Sequence, residues 1–262
     1  MSLRLAPNTG MVLRADGPIE GIETAAELGL EAVEFFGIAD ADRQAVRAAS
    51  EDHDVAIAAS ITVGVSANTG PSGDSVTDPS LYDEAVADLE RSLELGTEVG
   101  AENLIVTVGP RREQLPPGAE HRAIVDVLRA VAPAAEAADI TLLIEPLNNP
   151  VDHPGYYLDS SYEAYEIVQA VDSSHVQVIY DIYHQQITEG NLIENITDHI
   201  EYIGHFHVAD VPGRHEPGTG EINYANVFDA IADTDFDGYV GLEYAPTGDP
   251  VASVEAVMDL LE

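Results

Sequence analysis

Eight times along this chain a short β-branched and apolar run gives way to a longer amphipathic stretch, and that alternation restricts the fold more than any other feature. The strand-like runs fall at 3–7 (LRLAP), 31–35 (EAVEF), 55–61 (VAIAASI), 103–108 (NLIVTV), 140–145 (ITLLIE), 176–181 (VQVIYD), 202–208 (YIGHFHV) and 239–244 (YVGLEY). The amphipathic stretches lie near 18–29, 40–52, 80–99, 120–138, 161–173, 192–200, 224–233 and 251–261. Parallel strands need a crossover between them, usually a helix, so strands that alternate with helices imply a parallel sheet. An open doubly wound sheet would carry a G-x-G-x-x-G turn after its first strand, and APNTGMVL (6–13) does not match it. The length of 262 residues and a hydrophobic content of 45% suit one barrel of about 250 residues. The expectation is an α/β protein, a single (β/α)8 barrel of the TIM type over residues 1–262.

In such a barrel the loops that follow strands form the active-site face. Here those loops, at 62–80, 146–160 and 209–223, are rich in Gly, Pro, Asn and His. The last four strands each end with an apolar residue followed by a polar one: Ile144 then Glu145, Tyr180 then Asp181, Phe206 then His207, Leu242 then Glu243. Side chains alternate faces along a strand. If the apolar partners pack outward on helices, Glu145, Asp181, His207 and Glu243 point into the barrel at one end. Their intervals of 36, 26 and 36 residues each fit one strand–helix repeat.

Three carboxylates in a poorly hydrated cavity raise one another's pKa values, and a divalent cation resolves the conflict. Oxygen ligands with one imidazole suit Mn²⁺ or Mg²⁺, with Co²⁺ a further candidate, better than a structural zinc. A single acid at a strand end is more often a helix N-cap; four such residues in register are harder to explain that way. His205 reads as a polar filler beneath His207. His184 stands at the start of the loop after Asp181, within reach of a substrate. Arg214 is the only cationic side chain of the Lys or Arg type after Arg129. A surface ion pair there would be worth little, whereas a guanidinium on the active-site face can fork onto a carboxylate or hydroxyl group. The Gly218-Thr219-Gly220 turn reads as a tight turn rather than a phosphate cradle.

Composition narrows the chemistry. There are 48 Asp and Glu against 10 basic residues, all Arg, for a net charge of −38, and there is no Lys, Cys or Trp. Such a surface repels phosphate backbones and anionic lipid heads, so neither nucleic acid nor membrane is an expected partner. It suits a halophilic protein in molar salt, where the Debye length shrinks to about 3 Å. Lysine Schiff bases, lysine-linked pyridoxal phosphate and thiolate nucleophiles are excluded. The opening MSLRLAPNTGMVL has no charged-then-apolar leader pattern, and no apolar run approaches about 18 residues. A cytoplasmic location is expected, and a homo-oligomer is compatible with the sequence without being required by it.

The segments LLIEPLN (142–148), YDIYHQQ (180–186), HFHVADVPGRHEPGTGEINY (205–224) and GLEY (241–244) together resemble the hydroxypyruvate isomerase family, within the wider xylose-isomerase-like barrels. The resemblance implies a metal-dependent isomerase of the aldose–ketose type, an intramolecular oxidoreductase. Its substrate would be a small hydroxy-oxo acid or sugar, interconverted through an enediolate, as in hydroxypyruvate to tartronate semialdehyde. It further implies that Glu145, Asp181, His207 and Glu243 ligate the metal, that Glu145 and Glu243 also accept and donate the proton, and that His184 and Arg214 touch substrate. One position departs from the family, which usually has Gln where this chain has His207. Histidine there is the habit of ketose 3-epimerases, the alternative reading. An endonuclease IV-like phosphodiesterase would need further ligands, for which His53, His121 and His153 are available, and a basic surface that is lacking. A non-catalytic sugar-binding barrel would keep the ring without its chemistry.

Overall fold

The computed structural model describes residues 3–261. Among them the strands are β1 (Arg4–Pro7), β2 (Ala32–Glu34), β3 (Ala56–Ile61), β4 (Ala67–Asn68), β5 (Ala101–Val108), β6 (Thr141–Ile144), β7 (Val176–Asp181), β8 (Ile203–Val208) and β9 (Tyr239–Leu242). The α-helices are α1 (Pro18–Glu27), α2 (Arg43–His53), α3 (Tyr82–Val99), α4 (Ala119–Ala138), α5 (Ser161–Val171), α6 (Ile182–Thr188), α7 (Leu192–Asp198), α8 (Tyr224–Ala232) and α9 (Pro250–Met258). The main sheet runs β1-β9-β8-β7-β6-β5-β3-β2 with every pairing parallel. Its two edges meet at a seam where Asn8 bridges Glu34 and the Thr9 N–H donates to the Glu34 carbonyl at 2.8 Å. The strands expected from the sequence therefore form one nearly closed parallel barrel. The two-residue β4, which the sequence pattern did not reveal, lies off that path against β5.

Alternation along each strand decides which side chains fill the barrel and which meet the helices. Ile144, Tyr180, Phe206 and Leu242 belong to the large apolar core shared with the helices. Leu143 and Ile179 instead join Ala59 and Ile105 in a separate cluster inside the barrel, and Ala6, Ala32, Ala58 and Tyr239 form another. The residue after each outward one must face inward again. That parity carries Glu145, Asp181, His207 and Glu243 to the inner rim at the C-terminal ends of the strands.

Part of the acidic excess stabilises helix starts. Asp42 and Asp249 accept the N–H groups of Ala45 and Ala252 at the starts of α2 and α9, and such caps contribute about 1 kcal/mol each. Asp181 caps α6 in the same way, accepting the His184 N–H at 2.9 Å. Residues 182–188, read from sequence as loop, are therefore helical. Among the described residues no helix is long and apolar enough to cross a membrane.

Candidate functional site

Glu145, Asp181, His207 and Glu243 each offer one oxygen or nitrogen atom, and these atoms all lie within 4.8 Å of one another. The four residues are 9% exposed or less. His207 Nδ1 stands 3.4 Å from Glu145 Oε1 and 3.2 Å from Glu243 Oε2, yet it has no partner in hydrogen-bonding geometry. An unpartnered buried nitrogen costs free energy unless something satisfies it. Facing carboxylate oxygens on its open side, it completes a donor set that fits a divalent cation.

Electrostatics inside the ring are uneven. Burial pushes the Asp181 carboxyl up to about 7, with Arg214 pulling it down and Glu243 pushing it further up. Burial also opposes ionisation of Glu243, but the Arg214 guanidinium and the His207 imidazole hold it well below the usual carboxylate range. For His207, burial disfavours the cation and is outweighed by Glu34 and Glu243, which raise its pKa well above the ordinary value. The ring thus recruits positive charge at its centre wherever it can find it.

Arg214 reaches that ring from the loop after β8. Its Nη2 donates to Glu243 Oε2 and lies 3.8 Å from Asp181 Oδ2, and its guanidinium carbon stands 5.3 Å from the centre of the Tyr183 ring. The loop is wrapped around the buried carboxylate of Asp210, which accepts N–H groups from Val211, Gly218, Gly220 and Ile222 at 2.8–3.1 Å. A Cβ at Gly220 would fall 2.1 Å from the Val211 carbonyl oxygen, so the close approach requires glycine. Gly218-Thr219-Gly220 is a tight turn around the protein's own carboxylate.

His184 lies in the first turn of α6, not in a loop, and is fully buried. Its Nδ1 accepts from the Asn148 N–H at 3.2 Å and from the Asn148 side-chain amide at 2.6 Å. The Asn148 amide orientation is fixed because its oxygen accepts the Val151 and Asp152 N–H groups, both at 3.0 Å. The His184 proton therefore sits on Nε2, which is buried without a partner and lies 3.6 Å from Asp181 Oδ2. Burial and the neighbouring Arg214 push the His184 pKa well below its usual value, so the ring is a neutral donor.

Glu145, Glu243, His184 and Arg214 line one cavity of about 180 Å³, below the 300–1,000 Å³ typical of sites for drug-sized ligands. Ile61, Ile105 and Leu147 supply apolar wall, and Phe36, 40% exposed, stands at its edge. His153 also lines the cavity. His53 ends α2 on the exposed surface, and His121 on α4 faces Glu163 at 3.4 Å; His153 alone of the three reaches the cavity, and among the described residues it is not part of the ring's donor set. Sequence reasoning missed Asn148, Thr107, which also lines the cavity, and above all Glu34. The signal for Glu34 was present: Val33 precedes it as Ile144 precedes Glu145. Its side chain is buried and contacts the Nε2 atoms of both His205 and His207, so His205 is a buried structural partner.

A parallel eight-stranded barrel with a carboxylate–imidazole ring at its C-terminal rim defines an enzyme scaffold of the TIM-barrel class. The chain belongs to the xylose isomerase-like TIM barrel family, whose model matches residues 22–262. It is 31% identical over 251 residues to hydroxypyruvate isomerase of Escherichia coli K12, covering 93% of this chain and 94% of that one. It is 30% identical over 258 residues to 2-oxo-tetronate isomerase of Haemophilus influenzae, covering 96% and 97%. Both relatives are isomerases. Among solved structures, AP endonuclease, family 2 from Brucella melitensis superposes with a TM-score of 0.87 at 26% identity, covering 98% of each chain.

Proposed function

We propose that this protein is a divalent-cation-dependent isomerase of a small 2-oxo acid bearing an adjacent hydroxyl group, with hydroxypyruvate the leading substrate. The observation that carries this reading is the pair Glu145 and Glu243, which face one imidazole nitrogen at 3.4 and 3.2 Å and open on a cavity that also holds Arg214. Glu145, Asp181, His207 and Glu243 would hold Mn²⁺ or Mg²⁺, with Co²⁺ able to substitute. When bound, the cation supplies Lewis acidity that polarises the substrate carbonyl.

The chain's own groups divide the remaining tasks. One of the two glutamates removes a proton from C3, the hydroxyl-bearing carbon, and a carboxylate returns a proton to C2 while the hydroxyl proton passes from the C3 oxygen to the C2 oxygen, so that hydroxypyruvate becomes tartronate semialdehyde with no net change in atoms. His184 Nε2–H donates to a substrate oxygen. Arg214 forks onto the substrate carboxylate, the one anionic group that has to enter so negative a protein. The apolar wall of Ile61, Ile105 and Leu147 keeps water from the reacting carbons. The charge balance points to a halophilic, cytoplasmic enzyme that works in molar salt.

Arg214→Ala tests the acid-substrate reading. A lost hydrogen bond to a charged group costs about 1.5–3 kcal/mol, so kcat/KM for hydroxypyruvate is expected to fall roughly 10- to 150-fold, chiefly through KM. Steady-state kinetics with a neutral ketose should show a much smaller change; equal losses on both substrates would remove the acid from the proposal. His207 favours a second reading, ketose 3-epimerisation, in which the same two carboxylates act on opposite faces of one carbon. Proton exchange at C3 of a neutral ketose, and none with hydroxypyruvate, would support it.

A further inference from the structure

Beneath the carboxylate ring lies a second buried group that shares only His207 with the proposed chemistry: Glu34 at the end of β2, with His205 and His207 on β8. All three are 1% exposed or less. Glu34 Oε1 lies 2.5 Å from His205 Nε2, and Oε2 lies 3.0 Å from His207 Nε2. We propose that Glu34 is the positioning residue of the site: it holds the His207 Nε2 proton and the plane of the ring, so that Nδ1 is presented as a lone pair to the centre of the ring. The inference rests on the reading of that ring as a cation site.

The hydrogen-bonding inventory carries the argument. An ionised carboxylate only accepts, so each imidazole must donate to Glu34 from Nε2. Both oxygens of the Glu34 carboxylate are engaged in this way, one by each Nε2. With a cation held in the ring, His207 would carry a single proton; with Nε2 holding that proton, Nδ1 holds none. Nδ1 is the atom that faces Glu145 and Glu243 without a hydrogen-bond partner.

An independent observation comes from β9. A Cβ at Gly241 would sit 2.3 Å from Glu34 Oε1 and 2.6 Å from His207 Cδ2, so a side chain two residues before Glu243 would push the pair apart. The His205 ring, 84° to the His207 ring with centroids 5.4 Å apart, braces it from the other side. Glu34 therefore acts twice at one point in the fold. Its backbone closes the barrel seam, and its carboxylate orients the ring.

Removing such an outer partner of a metal-ligating histidine typically lowers metal affinity 10- to 100-fold. Mn²⁺ titration of the full chain in high KCl, followed by electron paramagnetic resonance, should give one equivalent for the wild type and 10- to 100-fold weaker binding for Glu34→Gln. Circular dichroism would check that the variant is folded. Equal affinity in a folded Glu34→Gln overturns the inference and leaves the cation site standing. Two equivalents in the wild type, one of them lost in the variant, would make the Glu34–His205–His207 group a cation site itself and also overturn it. No uptake by the wild type would remove the cation reading and this inference with it. If Glu34→Gln does not fold, ¹⁵N-histidine spectra of the Zn²⁺-loaded wild type decide the matter: a proton on Nε2 and none on Nδ1 of His207 is expected, and the reverse tautomer is contrary.

Discussion

Glu145→Gln is expected to lower turnover about 10²- to 10⁴-fold, the usual contribution of a positioned general acid or base, with no loss of thermal stability. The main chain at this position is secured independently of the carboxylate, since the Glu145 N–H donates to the Val106 carbonyl at 3.2 Å and the Tyr156 hydroxyl donates to the Glu145 carbonyl at 3.1 Å. Among the described residues Arg214 pairs with Glu243 and Asp181 rather than with Glu145. The amide preserves the shape of the side chain and removes one of three crowded negative charges. Function and stability therefore pull in opposite directions at this residue, as they often do at active sites. Thermal melts by circular dichroism together with substrate-proton exchange measure both. A variant exchanging within threefold of the wild type would deny Glu145 its role.

Dilution from molar KCl to about 0.01 M is expected to unfold the chain cooperatively at room temperature, through a rise in Debye length from about 3 to 30 Å. Two unit charges 10 Å apart in water repel by about 0.4 kcal/mol when unscreened. A few tens of such pairs match the 5–15 kcal/mol by which domains are stable. With a net charge of −38, this protein has the charges to make them. Relief is scarce among the described residues: arginine pairs only with Glu98, Glu51, Asp78, Asp181 and Glu243. Several arginines also direct donors to backbone carbonyls, as Arg14 does to Pro246 at 2.6 Å and Arg47 to Thr97 at 3.0 Å. Far-ultraviolet circular dichroism across a KCl series checks this. A native signal that persists at 0.01 M would show that charge repulsion does not limit stability and would remove the halophilic reading.

Much of the site was legible because a strand writes its facing into the sequence. Once Ile144, Tyr180, Phe206 and Leu242 are assigned outward, the residues that follow them have one direction left. Glu34 obeys the same rule after Val33, but its strand spans only Ala32–Glu34, too short for alternation to stand out. Helix α6 escaped notice for a related reason. Seven residues that include two isoleucines, a tyrosine and a threonine carry little helical propensity, and the cap that starts the helix is Asp181, a residue already read for another role. Arg214 could be assigned to the active-site face but not aimed. Its direction depends on the Asp210 carboxylate, which gathers N–H groups from as far along the chain as Ile222. No local pattern records that convergence.

The most direct test of the central claim is proton NMR of the Mn²⁺-activated protein in D₂O with molar KCl, the cation being removed before spectra are taken. Hydroxypyruvate and a panel of free ketoses are incubated separately. The proposal predicts tartronate semialdehyde formation, or deuterium uptake at the hydroxyl-bearing carbon, with hydroxypyruvate and not with neutral ketoses, and its loss in Glu145→Gln. Absence of both product and exchange with every substrate, from a folded protein that binds the cation, would contradict it.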